Sequence, residues 1–229
     1  MKRYLATAVC ARLADDGMPV AVALLSLART GSASVGAAVL AAWMLPHVVA
    51  APLAGALAAR VRRAGWFYAP ALLGFAGAIA LVTAGLGSAP TPLVMAAAAL
   101  GGACGPAVTG GLSSLLSGLP TGGVRERAYA LDAATYNVAG LIAPAMVTFV
   151  AAGVGAAPAT LTLAASALVA ATLAACLPTA AVRGQASRTA GRVGPDGTAP
   201  ADATRTEQHT RAPQPPSLAH EMRTGLTTI

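Results

Sequence analysis

Apolar residues fill the first 178 positions in long blocks separated by short polar stretches. Breakers bound six of these blocks, at roughly 5–28, 34–58, 66–88, 91–118, 128–152 and 156–178. Each is about as long as a helix needs to be, at about 1.5 Å per residue, to cross the ~30 Å hydrocarbon core of a bilayer. The links, "RTGSAS", "ARVRRAG", "SAPT", "LPTGGVRER" and "GVGAAP", carry the Gly, Pro, Ser and charged residues that end helices. The pattern predicts an all-α integral membrane protein with six transmembrane helices. After Pro178 it changes. Residues 179–229 are rich in Arg, Thr, Pro, Gly and Gln and lack aliphatic periodicity, so a disordered cytosolic segment is expected there. The expected organisation is a six-helix bundle over 1–178 and a linker or tail over 179–229.

Composition agrees with a lipid-embedded chain. Of 229 residues, 56% are hydrophobic and 10% charged, where soluble domains carry about 25% charged residues. The net charge of +7 does not point to nucleic acid, because nearly all the charges lie in links or in the tail. Cys10, Cys104 and Cys176 stand far apart in apolar runs, without metal-ligand or disulfide spacing, and read as small buried hydrophobes. The start, "MKRYLATAVCA", imitates a signal peptide. Apolar character resumes after Pro19, however, so the segment is kept as part of the mature protein.

Basic residues fix the expected orientation. Lys2 and Arg3 precede the first block, Arg60, Arg62 and Arg63 follow the second, and Arg125 and Arg127 follow the fourth. Six more Arg residues lie in the tail, and the opposite side holds only Arg29. The positive-inside rule then places both termini in the cytoplasm of a cell-membrane protein, with Trp66, Phe67 and Tyr68 at an interfacial belt.

Three charges break the first block, in "CARLADDGMP". A central Arg or Asp costs about 2.5–3.5 kcal/mol on insertion scales, up to about 10 kcal/mol for three, and eight Leu or Val residues offset only about 2.4–4.8 kcal/mol. The helix is marginal alone. Arg12 stands three and four residues before Asp15 and Asp16, so all three share a face. One Asp is expected to neutralise Arg12, leaving one carboxylate free to exchange a proton in an interior cavity. Gly17 and Pro19 are expected to loosen the helix just beyond.

Other polar residues inside the blocks are few. His47, four residues from Trp43 and next to Pro46, could line a cavity, relay protons or make an interhelical hydrogen bond. Asp132 and Tyr136 share a face, with Asn137 beside Tyr136. Asp132 lies about one turn inside the expected membrane edge, where an ion pair with Arg125 or Arg127 is anticipated. Tyr136 and Asn137 lie deeper and could meet a substrate. In "GGACGPAVTGG", Gly101 and Gly105 form a GxxxG step, and Gly102, Pro106 and Gly110 recur every four residues. Small residues at that spacing allow close helix packing, and Pro106 can kink the span, so packing and a hinge both remain open.

Six spans, a basic loop after the second and a polar stretch after the sixth resemble the N-terminal half of a major facilitator superfamily transporter, a 3+3 inverted repeat. The loop "GALAARVRRAG" is similar to that family's signature at Gly55, Leu57, Arg60 and Arg63, with Ala59 in place of its Asp and Arg62 in place of its Gly. The resemblance implies a cytoplasmic latch; topology alone also explains the Arg residues. "AGLIAPAMV" is similar to the fifth-span signature, with Ala143 before Pro144.

The function expected from these features is secondary active transport, with proton-coupled export of a small organic solute. Arg12, Asp15, Asp16, His47, Tyr136 and Asn137 are the candidate substrate and coupling residues. Partners are the bilayer, the solute, protons, and a second six-helix half or a homodimer partner; nucleic acid is not one. Neither a cofactor nor a metal is implied. No phosphate-binding Gly loop with its Lys is present, which argues against ATP-driven transport. The alternative is a non-transporting or accessory membrane protein. "GGLSS" with His47 is a faint hint of an intramembrane serine protease that lacks its other elements, so no enzyme is expected. In "SLAHEMRTGLTTI" apolar spacing and helix formers return as though a seventh helix were beginning, and a truncated chain is expected.

Overall fold

A computed structural model describes residues 1–60 and 64–177. Its helices are α1 (Lys2–Thr30), α2 (Ala33–Arg60), α3 (Ala64–Gly85), α4 (Thr91–Gly118), α5 (Gly123–Val154) and α6 (Ala156–Ala175). No strand occurs among the described residues. The tail over 179–229 and Arg63 of the basic loop lie outside them. Five helices, α2 to α6, are long and apolar enough to cross a membrane. Helix α1 has the length but not the apolarity. Every 18-residue window in it holds three or more charged side chains, either Arg12, Asp15 and Asp16 or, in the last window, Asp15, Asp16 and Arg29. Six crossings therefore do not follow from length and apolarity; five do.

Glycines set the helix ends. Gly31, with φ 64° in the left-handed region, closes α1 by donating its N–H to the Leu27 carbonyl. Gly155, with φ 102°, is the whole connection between α5 and α6. Arg29 fastens this end of the bundle. Its guanidinium donates to the carbonyls of Thr83 and Leu86 at the end of α3, where free carbonyls favour a cation.

Helix α1 packs along α5 and α6 and more lightly on α2, α4 packs on α2 and α3, and α3 lies along α6. Small side chains permit the close approach. Ala8, Ala11, Ala14 and Ala21 of α1 are buried, as are Ala159, Ala167, Ala170 and Ala174 of α6. Gly17 belongs to this seam, since a Cβ there would stand 2.6 Å from Leu163 Cδ2. The loosening expected at Gly17 and Pro19 does not occur. Helix α1 runs unbroken through both because Gly17 is filled by its neighbour.

Helices α2 and α4 meet more closely still. A Cβ on Gly102 would lie 1.7 Å from the Trp43 carbonyl oxygen, and Gly101 and Gly105 face the rings of Trp43 and His47. Gly110 has nothing within 4 Å. Helix α4 does not break at Pro106. It passes into a π turn over Ala107–Gly111 and then a last stretch ending in a 3₁₀ turn over Leu115–Gly118. A π turn, bonded i to i+5, can offer the carbonyl left without proline's N–H the next residue's amide, and it turns the following face by about one residue, roughly 100°. Trp66 is 76% exposed, but Tyr68 is buried and donates to the Gly111 carbonyl at 2.7 Å.

Candidate functional site

The deepest polar feature forms where α1, α4 and α5 converge. Arg12 is 1% exposed, and its Nη2 lies 2.9 Å from Asp132 Oδ1 on α5. This is the sole ion pair among the described residues. The expectation that Asp15 or Asp16 neutralises Arg12 is thus corrected, as is the pairing of Asp132 with Arg125 or Arg127. Helix geometry gives the reason. Helix α5 begins at Gly123, not near 128, so Asp132 lies nine residues inside it, about 14 Å from its start. Arg12 lies at a similar depth in α1, and its side chain spans the narrow gap between the two helices.

Further groups complete the pair. Tyr4 Oη donates to Asp132 Oδ1 at 2.6 Å, and Ser113 Oγ donates to Oδ2 at 2.7 Å. Arg12 Nη1 donates to the Asp132 carbonyl at 2.9 Å and to Thr135 Oγ1, and Nη2 donates to Ser113 Oγ at 3.0 Å. The guanidinium carbon stands 3.5 Å from the centre of the Tyr136 ring, within cation–π range. Both Asp132 carboxylate oxygens are therefore occupied, and Arg12 keeps only Nε without a partner. A buried pair is tolerated when its remaining hydrogen-bonding capacity is met in this way. The π turn of α4 contributes by bringing Ser113 round to face α5.

Sequence pattern ties none of Tyr4, Ser113 and Thr135 to Arg12, and "GGLSS" offers Ser113 only as a faint protease hint. Thr135 had a signal, since Asp132, Thr135 and Tyr136 fall at i, i+3 and i+4 on one face. Tyr4 and Ser113 come from other helices, and no local pattern ties them to Asp132. Ser113→Ala is expected to cost about 1–3 kcal/mol by leaving buried charge short of a partner. Ser113→Thr, which keeps the hydroxyl, should lose much less, and unfolding of the purified protein in detergent would show the difference.

Asp15 and Asp16 stand outside this closed network. Asp15 is half-buried beside Trp43, and neither Asp15 Oδ1 nor Trp43 Nε1 completes a hydrogen bond. Half-buried Asp16 faces α5, with Oδ2 4.0 Å from where a Cβ on Gly140 would sit. His47 Nδ1 is likewise buried without a partner, and its ring lies against Gly105. Tyr136 is 37% exposed, and Asn137 is exposed and forms no side-chain hydrogen bond to a described residue. Arg12 and Tyr136 thus come together. Asp15 and His47 flank Trp43, while Asn137 is not drawn into either group.

The remaining candidates fall elsewhere. Gly55, Leu57 and Arg60 lie in the last turns of α2, with Leu57 exposed, and Pro144 lies inside α5. Ser113 Oγ is engaged by Asp132 and Arg12, without a histidine partner among the described residues. No group of three or more His, Cys, Asp or Glu side chains that could hold a metal occurs among the described residues.

The Major Facilitator Superfamily model matches residues 5–217, most of the chain. The chain belongs to the major facilitator superfamily. No curated protein and no solved structure matches it. Superfamily membership together with five apolar helices makes this a multi-pass membrane protein of a transporter family, embedded in a lipid bilayer. The match begins within α1, so the charged helix belongs to the superfamily domain. Members of this superfamily are transporters rather than enzymes.

Proposed function

We propose that the chain is a six-helix half of a proton-coupled secondary transporter that exports a small organic solute across the cell membrane. The observation that carries this reading is the unequal charge inside the helices. Arg12 is matched by Asp132, and Asp15 and Asp16 remain without an ion-pair partner among the described residues. Uncompensated carboxylates at bilayer depth are costly and mark ion or proton pathways. Helix α1 is the sixth crossing, made possible because its buried cation, Arg12, is neutralised by Asp132 of α5.

The helix contacts support an inverted 3+3 repeat. Exchanging α1, α2 and α3 for α4, α5 and α6 turns α1 on α5 into α4 on α2, turns α1 on α6 into α4 on α3, and leaves α3 on α6 unchanged. Both termini of the bundle face the cytoplasm. The Tyr4–Asp132 bond holds the starts of α1 and α5 together, which gathers Lys2, Arg3, Arg125 and Arg127 at one end, away from Arg29. A second six-helix half or a second copy closes the cavity against the open side of α1 and α5. Residues 179–229 form the linker or tail.

Inverted membrane vesicles carrying a proton gradient test the reading. Adding a transported solute should release protons from vesicles holding the wild-type protein. Asp15→Asn and Asp16→Asn, made separately, should each reduce that release at least tenfold. Full release in both variants would contradict the proposal.

A further inference from the structure

We infer that Leu112–Ser114 of α4 is a rotary switch, set between a π turn and a 3₁₀ turn, that swings Ser113 into or out of the Arg12–Asp132 pair. The first support is winding. A π turn is wound more loosely than an α-helix, so the one over Ala107–Gly111 leaves the face after it behind by about one residue, roughly 100°. The 3₁₀ turn over Leu115–Gly118 is wound more tightly, at about 120° per residue against about 100°. Its four residues regain about 80°. The two departures nearly cancel. Helix α4 therefore leaves this region facing almost as a uniform α-helix would, and only the short stretch between the two turns is rotated. Rewinding both turns to α would swing Leu112–Ser114 by about a quarter turn while the rest of α4 keeps its contacts.

The second support is what that stretch carries. Ser113 Oγ donates to Asp132 Oδ2 at 2.7 Å and accepts from Arg12 Nη2 at 3.0 Å. No other α4 side chain bonds either charge among the described residues. In the rewound helix each residue of the stretch advances by one position, so Leu112, now buried, takes the direction of Ser113. An apolar side chain would then face the pair, and Asp132 Oδ2 and Arg12 Nη2 would each lose a partner. The ion pair thus favours the π-wound form. By reciprocity, the winding of α4 sets how firmly α1 is tied to α5.

A latch on α3 adds the third support. Buried Tyr68 donates to the carbonyl of Gly111, the last residue of the π turn, at 2.7 Å. Its ring leaves room only for glycine there, since a Cβ on Gly111 would lie 3.0 Å from Tyr68 Cε1. The π turn also packs on α1 and α2. On its open side Gly110 is exposed, with nothing within 4 Å of its Cβ position, so the turn has space in which to rewind. Two holds, Tyr68 from α3 and the ion pair from α1 and α5, keep it wound as it is. The switch requires no particular solute and no proton coupling.

Fluorine NMR of the full chain in lipid nanodiscs reads the winding. With Cys10, Cys104 and Cys176 replaced by Ala, a trifluoromethyl thiol label is placed on Gly110→Cys, inside the turn, or on Ala103→Cys, an exposed position before it. With Tyr68 and Ser113 intact, the label at position 110 should give one dominant resonance. Ser113→Ala removes the tie to the ion pair and Tyr68→Phe removes the latch, and each should raise a second resonance at position 110 at least fivefold. Ser113→Thr, which keeps the hydroxyl, should not. Position 103 should keep its single resonance throughout. An unchanged spectrum at position 110 in either Ser113→Ala or Tyr68→Phe would overturn the inference. Equal changes at position 103 would overturn it too, since they would mean that the whole helix loosens. Loss of solute-driven proton release bears on the transporter reading alone and leaves these spectra as expected.

Discussion

Asp132→Asn is expected to destabilise the protein by about 3–5 kcal/mol, the typical cost of removing one partner of a buried ion pair. The substitution leaves Arg12 charged and 1% exposed. The Asp132 backbone carbonyl, Ser113, Thr135 and the Tyr136 ring would still surround it, but none of these bears a negative charge. Arg12→Met alone should also destabilise, because Asp132 would retain only Tyr4 and Ser113 as donors. The double variant Arg12→Met with Asp132→Leu removes both charges and should recover most of the loss, since apolar replacements of similar volume are often neutral. Denaturant unfolding in detergent of the two single variants and the double variant would measure the coupling. Losses that simply add would mean that the two charges do not depend on one another.

The other large effect is expected at Gly102. An alanine there would set its Cβ 1.7 Å from the Trp43 carbonyl oxygen and 2.7 Å from the carbonyl carbon. Both are backbone atoms, which cannot rotate away as a side-chain tip can, so α2 and α4 must separate. The cost should be about 3 kcal/mol or more, at the upper end for overpacked sites. Gly102→Val should prevent assembly altogether. Gly110→Ala is the control. With nothing within 4 Å of its Cβ position, it should change stability by less than about 0.5 kcal/mol. Melting temperature and yield of folded protein would separate the two positions, and equal losses at both would contradict the close helix contact.

Gly102 and Gly110 also show how far sequence pattern reaches. Their four-residue spacing is legible in "GGACGPAVTGG", and it identifies a small-residue stripe on α4. It cannot say which member meets a neighbouring backbone, because that depends on where α2 crosses. The π turn after Pro106 rotates the later part of the stripe away from the earlier part. Apolar block length made five spanning helices legible, since the bilayer fixes how long such a block must be. The pairing of Arg12 was not legible. Spacing along one helix offered Asp15 and Asp16 as partners, whereas the structure uses Asp132, 120 positions away. The charges well inside the helices, Arg12 against Asp15, Asp16 and Asp132, leave the choice of pair open. Only the helix arrangement selects among them. The basic loop at Arg60 to Arg63 shows the reverse limit, since its resemblance rests on sequence and Arg63 lies outside the described residues.

That choice of pair bears on whether α1 crosses the membrane at all, because alone it carries too much charge. Its crossing is tested most directly by thiol labelling of intact cells. Cys10, Cys104 and Cys176 would first be replaced by Ala, and single cysteines placed at Lys2, where α1 begins, and at Ala33, just beyond its end, both exposed positions. A membrane-impermeant maleimide applied from outside should label the cysteine at position 33 and leave that at position 2 unlabelled until the cells are opened. The same accessibility at both positions would place the two ends of α1 on one side of the membrane and contradict the assignment of Arg12, Asp15 and Asp16 to its interior.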